Sequence, residues 1–209
     1  VVELLLSKSD IDINKARDTG ATPLYIASQK NHVDIVHHLL SKSDIDINKA
    51  TDDGDTALYA ASQFGHLEIV RLLLSKCDID YNKDADGAGS ALLVAAGKGH
   101  VEVVRLLLSK SDIDINTVED IGGLTALDLA KMIGHTEIIK LLQVKAEELE
   151  EKKQKTRDKN KEKKKRQKAR KRIEREKKQA KEDKEKQEIA EQEEQQRQQE
   201  ETKQKEIAR

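Results

Sequence analysis

An all-α solenoid of stacked helix pairs, with turn-bearing finger loops between pairs and one long charged helix continuing from the last, is the fold this sequence predicts. Three observations carry the prediction. Val33–Asn48 reads VDIVHHLLSKSDIDIN, Leu67–Asn82 reads LEIVRLLLSKCDIDYN, Val101–Asn116 reads VEVVRLLLSKSDIDIN, and a shortened copy opens the chain at Val1. The histidines before these segments, His32, His66, His100 and His135, lie 34, 34 and 35 residues apart. Self-similarity at a fixed period of this size marks an architecture of stacked repeats. The second observation is helical spacing of apolar residues within each period, and the third is an abrupt change of composition near Lys145.

The first helix of a unit begins behind Thr22, Thr56, Ser90 or Thr125, residues able to cap a helix start. Pro23 then falls at the first helical position, where its missing N–H costs nothing. Leu24 and Ala27 recur at i, i+3. The second helix carries Ile35, Val36, Leu39 and Leu40, one face of an amphipathic helix. Asn31 and Gly65 separate the two helices, since both residue types adopt the left-handed conformation that ends a helix. Ser, Asp, Asn and Gly follow, predicting an extended finger with a turn at Asp52-Asp53-Gly54. One such unit buries too little apolar surface to offset its ordering entropy, so neighbours must stack. The expected divisions are a truncated unit at 1–14, full units at 15–48, 49–82 and 83–116, a last unit at 117–144, and a charged tail at 145–209.

The residues that define this unit are T-P-L-Y-I-A at Thr22–Ala27, T-A-L-Y-A-A at Thr56–Ala61, the G-H before the second helix, the I-V-x-x-L-L stripe and the D-I-N that closes each period. In these the chain resembles the ankyrin repeat family over about Val1–Leu142. It departs from the pattern in its 34-residue period, in Tyr25, Tyr59, Leu93 and Asp128 at the motif's histidine position, and in the shifted glycines of Asp86-Gly87-Ala88-Gly89. The resemblance implies a non-catalytic module that binds a partner protein through a groove lined by finger tips and first helices. Carried onto this chain, the implied groove residues are Tyr25, Gln29, Lys30, Asp52, Asp53, Asp55, Tyr59, Gln63, Phe64, Leu93 and Leu124. Asp18, Thr19, Ala21, Asp86, Gly89, Glu119 and Ile121 extend the tips, and Lys98, Met132 and Ile133 extend the helix row. These positions vary between copies while the frame does not. Tyr25, Tyr59 and Phe64 are the expected anchors, because aromatic side chains dominate interface energies. Met132 and Ile133 have the alternative of packing locally at the end of the stack. Acidic tips suit a partner with a basic patch, or the tail itself.

Composition bounds the rest. Aromatic residues make up 2% of the chain and charged residues 38%, which is poor material for an enzyme core but sufficient for a Leu/Ile/Val/Ala helical stack. No apolar run approaches the length of a membrane span, and no basic start precedes an apolar stretch, so no signal peptide is visible. The chain opens inside a second helix without Met, which predicts a fragment with further repeats upstream. Cys77 is the single cysteine, which points to a reducing, intracellular setting, cytoplasmic or nuclear.

Net charge near zero conceals an asymmetry. Residues 1–144 hold 14 Lys/Arg against 22 Asp/Glu, whereas residues 145–209 hold 25 against 18. From Gln143 to Arg209 there is no Gly or Pro, and the prevailing Lys, Glu, Gln, Arg and Ala are strong helix formers. Acid-first pairs at i, i+4 (Glu148–Lys152, Glu151–Lys155, Glu162–Arg166, Glu174–Lys178, Glu182–Lys186, Glu193–Arg197, Glu201–Lys205) favour one solvated helix. Disorder is the competing expectation for charge this dense. Leu149, Ile173, Ile189 and Ile207 are too far apart for a heptad seam, so the charged segment is a single helix and a monomer is expected. The densest basic stretch, Lys163, Lys164, Lys165, Arg166, Lys168, Arg170, Lys171 and Arg172, fits an import receptor, a nucleic acid, an acidic lipid surface or a merely solvated helix.

No catalytic, metal or cofactor site is expected. Histidines one repeat apart cannot converge on one ion, and a structural bond to a neighbouring loop suits them better. His37 and His38 are adjacent on one helix and point in different directions, toward solvent and groove. The Asp pairs of the fingers lack the Gly and closing Glu of a calcium loop and suit side-chain-to-backbone turns. Gly87-Ala88-Gly89 and Gly97-Lys98-Gly99 complete no phosphate-loop pattern. The function expected from sequence is a protein-binding scaffold whose tail acts as spacer or localisation element. The alternative is a nucleic-acid-associated protein bound through residues 152–186.

Overall fold

The computed structural model describes residues 12–85, 89–118 and 122–207. Helices form in pairs: α1 (Pro23–Gln29) with α2 (Val33–Leu40), α3 (Ala57–Gln63) with α4 (Leu67–Leu74), α5 (Ala91–Lys98) with α6 (Val101–Leu108), then α7 (Ala126–Ile133) and α8 (Thr136–Ile207). First helices stack in the order α1, α3, α5, α7, and second helices in the order α2, α4, α6. Two compact units result, Val1–Leu149 and Glu150–Arg209.

Each first helix starts where its cap residue dictates. The hydroxyl oxygens of Thr22, Thr56, Ser90 and Thr125 accept from the backbone N–H three residues on, at 3.1, 3.1, 3.4 and 3.2 Å. At Thr125 the cap is reciprocal: Asp128 Oδ2 accepts from the Thr125 backbone N–H and hydroxyl, which holds the Asp128 carboxyl below its ordinary pKa. Asn31 and Gly65 follow α1 and α3 with φ of 60° and 70°. Gly99 and Gly134 close α5 and α7 in the left-handed region.

Between the layers lies one continuous core. Ala27, Ala61, Ala95 and Ala130 are buried on the first helices, and these small side chains let the helices approach closely. Val36 and Leu39, Ile69 and Leu73, Val103 and Leu107, and Ile138 and Leu142 fill it from the second helices. Ile13, Ile47, Ile79 and Ile113 add the buried side of the fingers.

The fingers are turns closed by backbone bonds, such as Arg17 N–H to Ala21 O at 3.0 Å and Thr51 N–H to Asp55 O at 3.0 Å. The third contains a short antiparallel pair, β1 (Asp84–Ala85) with β2 (Gly89–Ser90), in the register Asp84–Ser90 and Ala85–Gly89. Its tip, including Asp86, and the positions Glu119 and Ile121 lie outside the described residues, as does the shortened first copy through residue 11.

Side-chain ladders fasten one unit to the next. Asp12, Asp46, Asp80 and Asp114 each accept from the backbone N–H two residues on, the local turn expected of them. Asn14 then bridges fingers, donating to Asp44 O at 2.7 Å and accepting from Asp46 N–H at 2.8 Å; Asn48 and Asn82 do the same one and two units later. Lys76 and Lys110 reach back to Leu40 O and Leu74 O, both at 2.7 Å, and so satisfy carbonyls at the preceding helix end.

The last unit shows why α8 does not stop. In the others a serine ends the second helix: Ser41, Ser75 and Ser109 turn their hydroxyls onto His38 O, Leu72 O and Leu106 O. Val144, Ala146 and Glu147 occupy the places of Ser109, Ser111 and Asp112. Competing side-chain acceptors and donors are replaced by residues that cannot form such a stop, and the helix propagates to Ile207. Lys145 nevertheless keeps its place in the lysine ladder, 8% exposed with Nζ 3.3 Å from Lys110 O. Beyond Leu149, Glu151–Lys155 and Glu162–Arg166 form as expected, at 3.2 and 2.6 Å. Glu148 instead faces Lys145 at 3.9 Å, and a basic-first pair, Arg172–Glu176, forms at 2.7 Å.

Candidate protein-docking surface

The first helices and fingers bring part of the expected groove together. Tyr25 on α1 donates its hydroxyl to Asp55 Oδ2 of the next finger at 3.4 Å, and Gln29 Nε2 donates to the same hydroxyl at 3.5 Å. Asp55 is held in turn by its finger, its N–H donating to Thr51 Oγ1 at 3.1 Å. Asp52 and Asp53 are exposed beside it, as are Asp18 and Thr19 one finger earlier, and Lys30 is exposed at the end of α1. Gln63 and Leu124 are half-buried. Phe64 at the end of α3 is 50% exposed, its ring stacked on His66 with centroids 5.9 Å apart.

Other expected groove residues are inside. Tyr59 is only 6% exposed, because the third finger covers it: it clusters with Ala85 and with Val94 of α5. Leu93 and Ala21 are buried likewise, at 3% and 7%. Identical helix positions in successive units therefore differ in exposure, with Tyr25 half-buried and Tyr59 enclosed. The helix row instead ends in Met132 and Ile133, 69% and 52% exposed, which do not pack locally.

Electrostatics at the Tyr25–Asp55 pair follow burial. Asp55 has a carboxyl pKa above its ordinary value chiefly because it is partly desolvated; the Tyr25 hydrogen bond opposes this and the Asp53 charge adds to it. Tyr25 is raised by burial and then by Asp55, and Tyr59 by burial and then by the charges around it. A carboxyl raised on folding binds its proton more tightly in the folded state. Its stabilising contribution is present below the unfolded value and is lost as pH rises through the folded one. Asp55→Asn keeps an acceptor for Tyr25 and removes the charge, so the variant should be at least as stable as wild type at pH 7, with that advantage shrinking at pH 4. Urea unfolding of both proteins at the two pH values checks this. An advantage that grows on acidification contradicts it.

The histidines take structural places. His66 Nε2 lies 3.2 Å from Gln29 O and His100 Nε2 3.0 Å from Gln63 O, where the ring N–H donates to an otherwise unsatisfied carbonyl at the end of the preceding first helix. Among the described residues no group of three or more His, Cys, Asp or Glu side chains is placed to hold a metal ion, and Cys77 is exposed. No helix among the described residues is long and apolar enough to cross a membrane.

Comparison with known families agrees with this architecture. A family model described as ankyrin repeats (3 copies) matches residues 1–85, and one described as ankyrin repeats (many copies) matches residues 92–143. Neither extends into the charged segment. No curated protein matches the chain.

Proposed function

The chain belongs to the ankyrin repeat family, whose repeats are general protein–protein interaction modules and typically non-catalytic, and from that premise we propose an adaptor that docks a partner protein on its finger and first-helix surface. The observation that carries this reading is the cross-unit Tyr25–Asp55–Gln29 cluster beside exposed Asp52, Asp53 and Phe64. It offers a partly ordered polar patch, a negative rim and one solvent-facing aromatic within a single surface. Such a surface suits a partner with a basic patch and an apolar anchor, since complementary charge steers the encounter and a buried aromatic supplies affinity. The charged segment 145–209 serves in this reading as spacer or localisation element of an intracellular protein, cytoplasmic or nuclear.

The test compares affinity capture by the wild-type chain with capture by Asp52→Lys/Asp53→Lys/Phe64→Ala. Arg71→Glu, on the exposed side of a second helix, is the control. The triple variant should lose a defined set of proteins, at least tenfold in recovery, that the control retains. Unchanged recovery by the triple variant, with helical content intact, removes the assignment of this surface.

A further inference from the structure

The charged helix places its cations unevenly around its axis. Between Arg157 and Lys178 there are 14 basic and 4 acidic residues. Arg157, Lys161, Lys164, Lys168, Lys171, Arg175 and Lys178 follow one another at steps of 4, 3, 4, 3, 4 and 3. On an α-helix this alternation keeps all seven on one side, over about 30 Å at ~1.5 Å per residue. Lys164, Lys168, Lys171 and Arg175 indeed line one shallow exposed face together with Gln167 and Arg172. The four acids, Asp158, Glu162, Glu174 and Glu176, each stand one residue from a member of the stripe, which is a rotation of roughly 100° away from it. Two of them are engaged from outside the stripe, Glu162 by Arg166 at 2.6 Å and Glu176 by Arg172 at 2.7 Å. Asp158 lies 4.0 Å from Lys161. Among the described residues no ion pair engages Lys164, Lys168, Lys171 or Arg175.

We propose that this acid-free face of α8 binds the phosphodiester backbone of a nucleic acid, an activity separate from protein docking on the repeats. A run of cations on one straight face, one every 4.5–6 Å by the ~1.5 Å rise, suits a ligand carrying closely spaced negative charge along an extended line. A membrane surface fits less well. Interfacial helices pair a cationic face with a continuous apolar one. Here Ile173 is the single large apolar residue of the stretch, two positions after Lys171 and thus on the far side. No Phe, Tyr or Trp occurs beyond Tyr81, so none lies on the charged segment to stack on bases, and the interaction reads charge and not sequence.

The test uses the full-length chain and fluorescence anisotropy with a DNA duplex of about 20 base pairs, the same duplex in RNA, and vesicles of phosphatidylcholine with phosphatidylserine. Wild type is expected to bind both duplexes at ~50 mM salt, with a slope of log K against log salt of about −6 if seven phosphates are contacted. Lys164→Gln/Lys168→Gln/Lys171→Gln/Arg175→Gln should bind at least tenfold more weakly and lower that slope to about −3. Lys159→Gln/Lys163→Gln/Arg166→Gln/Arg170→Gln removes the same charge from the other side and should lose less than threefold. Lys164→Arg/Lys168→Arg/Lys171→Arg preserves the face and should bind as wild type does. Equal losses from the two glutamine variants, failure of the arginine variant, no duplex binding at low salt, or binding to vesicles alone each overturns the proposal. None of these outcomes touches partner capture by the repeats.

Discussion

Leu73→Ala is expected to lower the unfolding free energy by about 3–4 kcal/mol and to broaden the transition. Leu73 is 0% exposed in the last turn of α4, within the core shared by the two helix layers. Truncating it removes the transfer energy of the lost methyl groups and leaves a void between rows of helices that cannot close independently. In a stack each unit is stable only through its neighbours. A defect at the second helix of a middle unit therefore weakens the coupling on both sides, and the ends should begin to melt separately. Leu72, on the same helix but only half-buried, supplies the contrast: Leu72→Ala should cost less than half as much. Urea titration followed by circular dichroism measures both variants. A loss under about 1 kcal/mol for Leu73→Ala, where buried Leu truncations cost 2–5, contradicts a core continuous through this unit.

Much of this fold was legible because each unit states its own boundaries. Thr22, Thr56, Ser90 and Thr125 cap first helices as their side chains require, and the left-handed residue before each histidine is Asn or Gly. A periodic chain repeats such signals, so each copy tests the others. What sequence did not show was exposure at a given register position. Tyr25 and Tyr59 are equivalent in the repeat, yet the finger that follows covers one and leaves the other half-open. That depends on the geometry of the neighbouring loop, which periodicity does not encode. The ladders were missed for a related reason. Lys76 and Lys110 resemble solvated surface lysines until their Nζ atoms are seen against carbonyls 36 residues earlier. Their signal was the fixed lysine after each terminating serine, preserved at Lys145 where the serine itself is gone. Lys145, one residue past the expected division after 144, lies within the compact unit Val1–Leu149 and bonds Lys110 O.

Gly65→Val is expected to cost about 3 kcal/mol, near the Leu73 truncation, although it adds atoms at a loop. Gly65 has φ of 70°, a conformation that a β-branched residue enters only with strain. A Cβ there would also stand 2.6 Å from His100 Nδ1 and 2.7 Å from Cε1, so the ring must move. That ring is held by the 3.0 Å bond from Nε2 to Gln63 O at the end of α3. Displacing it leaves the carbonyl unsatisfied and loosens the joint between successive units. The chain contains its own calibration. Asn31 fills the equivalent place one unit earlier with φ of 60°, and His66 still reaches Gln29 O at 3.2 Å. Asn tolerates the left-handed region, and its neighbour has adjusted to a side chain. Gly65→Asn should accordingly cost about 1 kcal/mol or less. Chemical denaturation of the two variants decides the matter. Equal destabilisation by Val and Asn would mean that contact with His100, and not backbone conformation, sets the penalty; no destabilisation by Val would mean that the histidine joint carries little of the coupling between units.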